Sequence, residues 1–220
     1  MDNVWAALVP LIVGSALVPV QLLVTILLIA HSRLTAFAWV AGTMTVRLAQ
    51  GILFGLILGS DGVPGGPGPI ASTLLLVVAL LFLATAVRHL VGDHDPDAPP
   101  PRWMTALDGL SPARSFLYGA GAMVIGVKFW VFTLSAVAVI GDADLGQPDA
   151  AITFVVFVVL ASSAQLALIA MAAAAPRRTA VVLGRLSGWL TAHNATLMVV
   201  IGFVFGTWFL VKALDGLGVL

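Results

Sequence analysis

The stretch VWAALVPLIVGSALVPVQLLVTILLIA, residues 4–30, decides the fold. Its 27 residues carry no charge. As a helix rising ~1.5 Å per residue it would reach ~40 Å, more than the ~30 Å hydrocarbon core of a bilayer. It follows Met-Asp-Asn without a basic n-region and outlasts the ~7–15-residue apolar core of a secretory signal, so it reads as a retained span. Five comparable runs follow, at residues 35–59, 70–91, 113–140, 150–175 and 188–212. Membrane β-strands would need alternating segments of ~10 residues, and none is seen, which leaves helices as the spanning element.

Composition agrees. Of 220 residues, 60% are apolar and 9% charged, against ~25% charged in an ordinary soluble domain. Ten basic and ten acidic side chains give a net charge of zero, which argues against nucleic acid as a partner, since that would call for a basic stripe. With no cysteine there are no disulfides, thiolate metal sites or dithiol redox chemistry. The expected fold is an all-α integral membrane protein with six transmembrane helices in a single membrane domain, residues 1–220.

The charges set the expected direction. Arg33 lies in the first connection, Arg88, Arg102 and Arg114 in or beside the third, and Arg177, Arg178 and Arg185 in the fifth, a basic loop at residues 176–187. The second and fourth connections hold only Asp61, then Asp142, Asp144 and Asp149. Basic loops stay cytoplasmic, so both termini are expected outside, with Lys212 alone on that side. Residues 1–91 and 113–220 then form two inverted three-helix repeats around the polar loop 92–112. That plan is frequent in transporters, with a midplane site on broken helices. Gly14-Ser-Ala-Leu-Val-Pro19-Val-Gln21 and Gly121-Ala-Met-Val-Ile-Gly126-Val-Lys128 match loosely as repeats: a glycine, a helix-weakening residue, then a long polar side chain.

Two cations lie in spans. Arg47 and Lys128 sit about midway along the second and fourth runs, and no run contains Asp or Glu. A charge at the bilayer centre costs ~2.5–3.5 kcal/mol on insertion scales, and each lies ~15 Å from an interface, too far to snorkel. Two buried cations without counter-ions suit an anionic headgroup: phosphate, sulfate or carboxylate. The plainer alternative is that both cap backbone carbonyls, such as the Ser15 carbonyl that Pro19 deprives of its donor. Polar neighbours follow helical spacing: Gln21 with Thr25; Thr43, Arg47, Gln50 and Gly51; Gly121, Lys128 and Ser135; and Ser162, Ser163 and Gln165. These line one cavity or act as interhelical glue. Gly51/Gly55 and Gly202/Gly206 read as close-packing spacings. His89, Asp93, His94, Asp95 and Asp97 read as a solvated loop, not a metal site. His193 and Asn194 read as interfacial residues opening the last helix. No catalytic spacing is present, so an enzyme is not expected, nor a cofactor or metal.

The loop and fourth helix read PPPRWMTALDGLSPARSFLYG, residues 99–119. Trp103, Met104 and Leu107 suggest a short helix in the headgroup plane, and Ser111-Pro112 an N-cap and first position launching the next span. The pattern Pro-x-Trp-Met-x-x-Leu-Asp-x-Leu-x-Pro-x-Arg resembles the GAP family, the peptidoglycolipid- and sulfolipid-addressing proteins of mycobacteria and relatives, within the lysine-exporter superfamily. Ser15-Ala-Leu-Val-Pro19 and Ser32-Arg33 agree with it, and the resemblance covers all six runs. Relatives usually carry Asn-Pro-Lys in the fourth helix; here Gly126-Val127-Lys128 keeps the lysine without the proline.

The resemblance implies export of cell-envelope lipids or glycolipids across the inner (plasma) membrane by a multi-pass protein. The expected binding residues are Arg47, Lys128, Gln21, Gln50, Ser162 and Gln165, with Pro19 and Gly126 as helix breaks. Lipid-secretion machinery and a second copy of the chain stay open as partners. Two alternatives stand beside this reading: a proton-coupled exporter of small solutes such as amino acids, and a non-transporting scaffold of a lipid-secretion machine.

Overall fold

The computed structural model describes residues 2–59, 69–91, 107, 109–143 and 145–219. The second connection, most of the loop 92–112 with Trp103, Met104 and its His/Asp group beyond His89, and the side chain of Lys128 lie outside the described residues. The described chain is all-helical: α1 (Asp2–Ala16), α2 (Pro19–His31), α3 (Arg33–Gly59), α4 (Pro69–Val91), α5 (Pro112–Ile125), α6 (Val127–Gly141), α7 (Asp149–Ala161), α8 (Ser163–Ala174), α9 (Pro176–Ala192) and α10 (Asn194–Gly216).

Two stretches, Arg33–Gly55 and Ala195–Gly216, are each long and apolar enough to cross a membrane; the number rises to five if each bent pair is one span. The bent pairs are α1–α2 at 51°, α5–α6 at 72° and α7–α8 at 56°. Leu76–Val91 of α4 is a shorter apolar helix among the described residues.

Each break has a local cause. Val18 is held extended (φ −61°, ψ 113°) by the ring of Pro19, which opens α2. Gly126 takes φ −77°, ψ 82°, and a Cβ there would come within 2.7 Å of the Ala122 carbonyl oxygen. The carbonyls this break frees are recovered by Trp130, whose indole N–H donates to Met123 O and Val124 O, both at 3.0 Å. The fourth run therefore bends sharply without a proline. Ser162 sits between α7 and α8 at φ −101°, ψ 1°; it was expected as a polar lining residue, and it also marks a break the apolar run 150–175 conceals.

One expectation is corrected. The basic stretch 176–187 is not a loop but most of α9, a 17-residue helix continuing to Ala192, and α10 starts at Asn194 instead of Gly188. Pro176 occupies its first turn, where a missing N–H costs nothing. Leu183 and Leu190, two turns apart, bury against a cluster with Leu22 and Ile26 of α2 and Leu168 of α8. Tertiary burial holds this segment helical despite its arginines and glycines.

Small residues set the tightest crossings. A Cβ on Gly42 would strike the Phe116 carbonyl oxygen, and one on Gly119 the Trp39 carbonyl oxygen, so α3 and α5 touch backbone to backbone. They run parallel, since Thr35 O accepts from Ser115 Oγ at 2.9 Å near both N-termini. Gly202 and Gly206 of α10 pack on α4, where a Cβ would lie 2.7 Å from the Ala86 Cβ and 2.8 Å from the Leu83 Cγ. That pair is antiparallel and confirms the close-packing role of this glycine spacing. Gly51 abuts the Phe154 ring, whereas nothing lies within 4 Å of a Cβ on Gly55. The core is aromatic: Phe132 meets Phe205 edge-on at 5.1 Å and Phe82 at 6.3 Å, joining α4, α6 and α10.

These pairings collect basic positions. Arg33 opens α3 and donates to Ala173 O at the end of α8 (3.4 Å), so α8 ends where α3 begins. Arg114 opens α5 beside the start of α3, with Ser111 Oγ accepting from the Arg114 N–H at 3.4 Å in the expected N-cap. The antiparallel α4–α10 pair brings the last turn of α4, with Arg88, beside the first turns of α10.

Candidate functional site

Hydrocarbon offers no hydrogen-bond partner, so each polar group buried in a span must find one in the protein or in what the protein binds. The described side chains divide on that test.

One group is satisfied. Gln165 of α8 donates through Nε2 to Gln21 O at 3.4 Å and Thr25 Oγ1 at 3.2 Å, while Thr25 Oγ1 donates to Gln21 O at 2.8 Å. All three are buried, Gln21 at 5%, Thr25 at 0% and Gln165 at 2% exposure. The second halves of two broken runs, α2 and α8, are tied together here. Gln21 enters through its backbone carbonyl, in the first turn of α2. Thr43 is likewise satisfied, donating to Val40 O at 2.8 Å.

The other group is not. Arg47 is 3% exposed, and its Nε has no hydrogen-bond partner among the described residues. One turn further along α3, Gln50 is 5% exposed with both amide atoms, Nε2 and Oε1, unpartnered among them. Ser15 Oγ, at the end of α1 before the first break, and Ser135 Oγ on α6 are also buried without partners among the described residues. Helical spacing puts Arg47 and Gln50 on one side of α3. That helix packs against α2, α5, α6, α7 and α8, which include halves of all three bent pairs. Arg47 finds no acidic partner among the described residues, as the absence of Asp and Glu from the runs foretold.

Of the expected binding residues, the structure joins Gln21 and Gln165 by a hydrogen bond and places Arg47 and Gln50 together on α3. Ser162 is buried at the α7–α8 break, three residues before Gln165. Lys128 lies in the first turn of α6, just past the Gly126 break; its side chain lies outside the described residues. The helices of the first and fourth runs break at Pro19 and at Gly126. Sequence reasoning missed the Trp130 indole and the buried Ser15 hydroxyl. A signal for Ser15 existed, four residues before a proline; none existed for Trp130, which reaches its carbonyls only because the helix bends.

A bundle of apolar helices, three pairs of them bent, with unpaired polar groups buried inside, defines a helical membrane protein. The chain belongs to the sulfolipid-1-addressing protein family: the model described as Sap, sulfolipid-1-addressing protein, matches residues 8–215. No curated protein and no solved structure gives a significant match.

Proposed function

We propose that this protein is a multi-pass inner-membrane transporter, without enzymatic activity, that moves an anionic cell-envelope lipid or glycolipid outward. One observation carries the reading: Arg47 and Gln50, buried side by side on α3, present a guanidinium and an amide with unpartnered atoms and no acidic neighbour. A guanidinium and an amide N–H donate, and the amide oxygen accepts, a set that suits an anionic headgroup bearing a hydroxyl or ester. Lys128, next to the Gly126 break, would supply the second cation. The lipid tail would stay in the bilayer while the headgroup crosses along the polar residues.

Six spans in two inverted repeats, with both termini outside, supply the frame. What supports it is the pairing of breaks: the first and fourth runs, equivalent in such a plan, are both broken, at Pro19 and Gly126. The third and last runs, also equivalents, pack antiparallel as α4 and α10. Gathering Arg33, Arg88 and Arg114 toward one end of the bundle supports a cytoplasmic assignment for that end.

The test uses purified protein in liposomes carrying a labelled anionic lipid. Wild type should transfer it between leaflets, and Lys128→Met should not. Wild-type transfer rates in Lys128→Met would remove the cation site. Movement of a soluble amino acid driven by a pH gradient would favour the small-solute exporter instead. Normal lipid export in cells carrying changes at both cations would favour the scaffold.

A further inference from the structure

Helix α9 is too polar to cross a membrane and lies between two candidate spans, following α8 and preceding α10. Its start adjoins the end of α8, where Arg33 reaches Ala173 O. It therefore lies along the basic end of the bundle. One of its sides, with Leu183 and Leu190, is buried on α2 and α8.

Among the described residues the opposite side is exposed, and it is specific in chemistry. Spacings of three and four put Val182, Arg185 and Trp189 in one stripe turned away from the two leucines, and the sequence adds Arg178 one turn earlier. Val182 is 50% and Trp189 49% exposed, and Arg185 is exposed as well. Trp189 stacks on His193 with ring centroids 4.9 Å apart. Arg177 adds a third positive charge to the helix, and no Asp or Glu occurs from residue 150 to residue 214. A water-facing helix has no use for exposed valine and tryptophan, and a tail-facing helix would not expose arginine. Arginine alternating with apolar and aromatic residues fits the headgroup layer, where indole rings settle and basic side chains meet anionic lipid.

We propose that α9 is a surface helix that binds anionic phospholipid headgroups of the surrounding bilayer through the Val182–Arg185–Trp189 stripe, with the charges of Arg177 and Arg178 in its first turn, separately from Arg47. The charge complementarity is one-sided: three arginines and no acid. The buried face ties this contact to α2 and α8, the two half-helices that Gln165 joins, so a lipid on α9 grips the same pair of elements that borders the breaks at Pro19 and Ser162.

The experiment titrates purified full-length protein in neutral detergent with short-chain phosphatidylglycerol or phosphatidylcholine at low salt, reading apparent affinity from the thermal shift. Wild type should prefer phosphatidylglycerol, and each arginine removed should cost about fivefold of that preference. The R177Q/R178Q/R185Q variant should bind both lipids equally. The matching triple Lys variant should keep the preference, which separates lost charge from lost folding. Equal affinities in wild type overturn the proposal. So does a preference that survives the triple Gln variant but vanishes in Arg47→Gln, because binding would then sit at the interior site.

Discussion

Replacing Arg47 by methionine should make the protein more stable and at the same time inactive. A guanidinium held in the membrane interior costs ~2.5–3.5 kcal/mol on insertion scales. At Arg47 little offsets that cost: the side chain is 3% exposed, Nε has no hydrogen-bond partner, and no acid neighbours it among the described residues. Methionine keeps an unbranched stem of similar length in the same space, so the added strain or void should stay below ~1.5 kcal/mol. The difference is a net gain of about 1–3 kcal/mol for Arg47→Met, in the range seen when buried ionic groups give way to apolar ones. The assay pairs denaturant unfolding in detergent micelles, followed by tryptophan fluorescence, with lipid transfer in liposomes. A receptor for an anion predicts higher stability with transfer lost, the trade-off of a site kept strained for function. A residue that merely caps carbonyls predicts the reverse, a loss of ~2–5 kcal/mol as those carbonyls are orphaned. Destabilisation of Arg47→Met by that amount would refute the reasoning.

Other perturbations test the frame around the site. Trp130→Phe keeps a ring against Phe54 but leaves the Met123 and Val124 carbonyls without the indole donor, and should cost about 1–3 kcal/mol in the same unfolding measurement. Gln165→Leu removes the link from α8 to Gln21 O and Thr25 Oγ1; a loss of ~0.6–1.7 kcal/mol is expected, the range for interhelical hydrogen bonds in membranes. Gly42→Leu and Gly119→Leu each drive a side chain into a backbone carbonyl across the α3–α5 crossing, so each should cost more than ~1–3 kcal/mol and lower the yield of folded protein, whereas Gly55→Leu, with open space beside it, should be tolerated.

Much of the fold was legible because bilayer physics writes in large letters. Long uncharged runs, and arginines confined to alternate connections, survive any rearrangement of side chains. The Pro19 break was legible because proline removes a donor wherever it sits. The Ser162 break was not, since two serines in an apolar run look the same whether they bend a helix or glue two together. Helix α9 was missed for a different reason. Pro176, Gly184, Gly188 and three arginines carry the local signature of a loop, and only the burial of Leu183 and Leu190 on α2 and α8 overrides it. At the candidate site, the cations were legible from charge alone, but which polar neighbours are spoken for was not. Gln165 and Gln50 look equivalent in the sequence; one is engaged with α2 and the other is buried with both amide atoms unpartnered among the described residues.

The central claim is that Arg47 waits for an anion. A density map of protein purified with its native lipids tests it most directly. The account predicts an elongated ligand whose headgroup lies about 3 Å from the Arg47 guanidinium and the Gln50 amide. A closed interior with no ligand, the guanidinium turned onto backbone carbonyls, would contradict it.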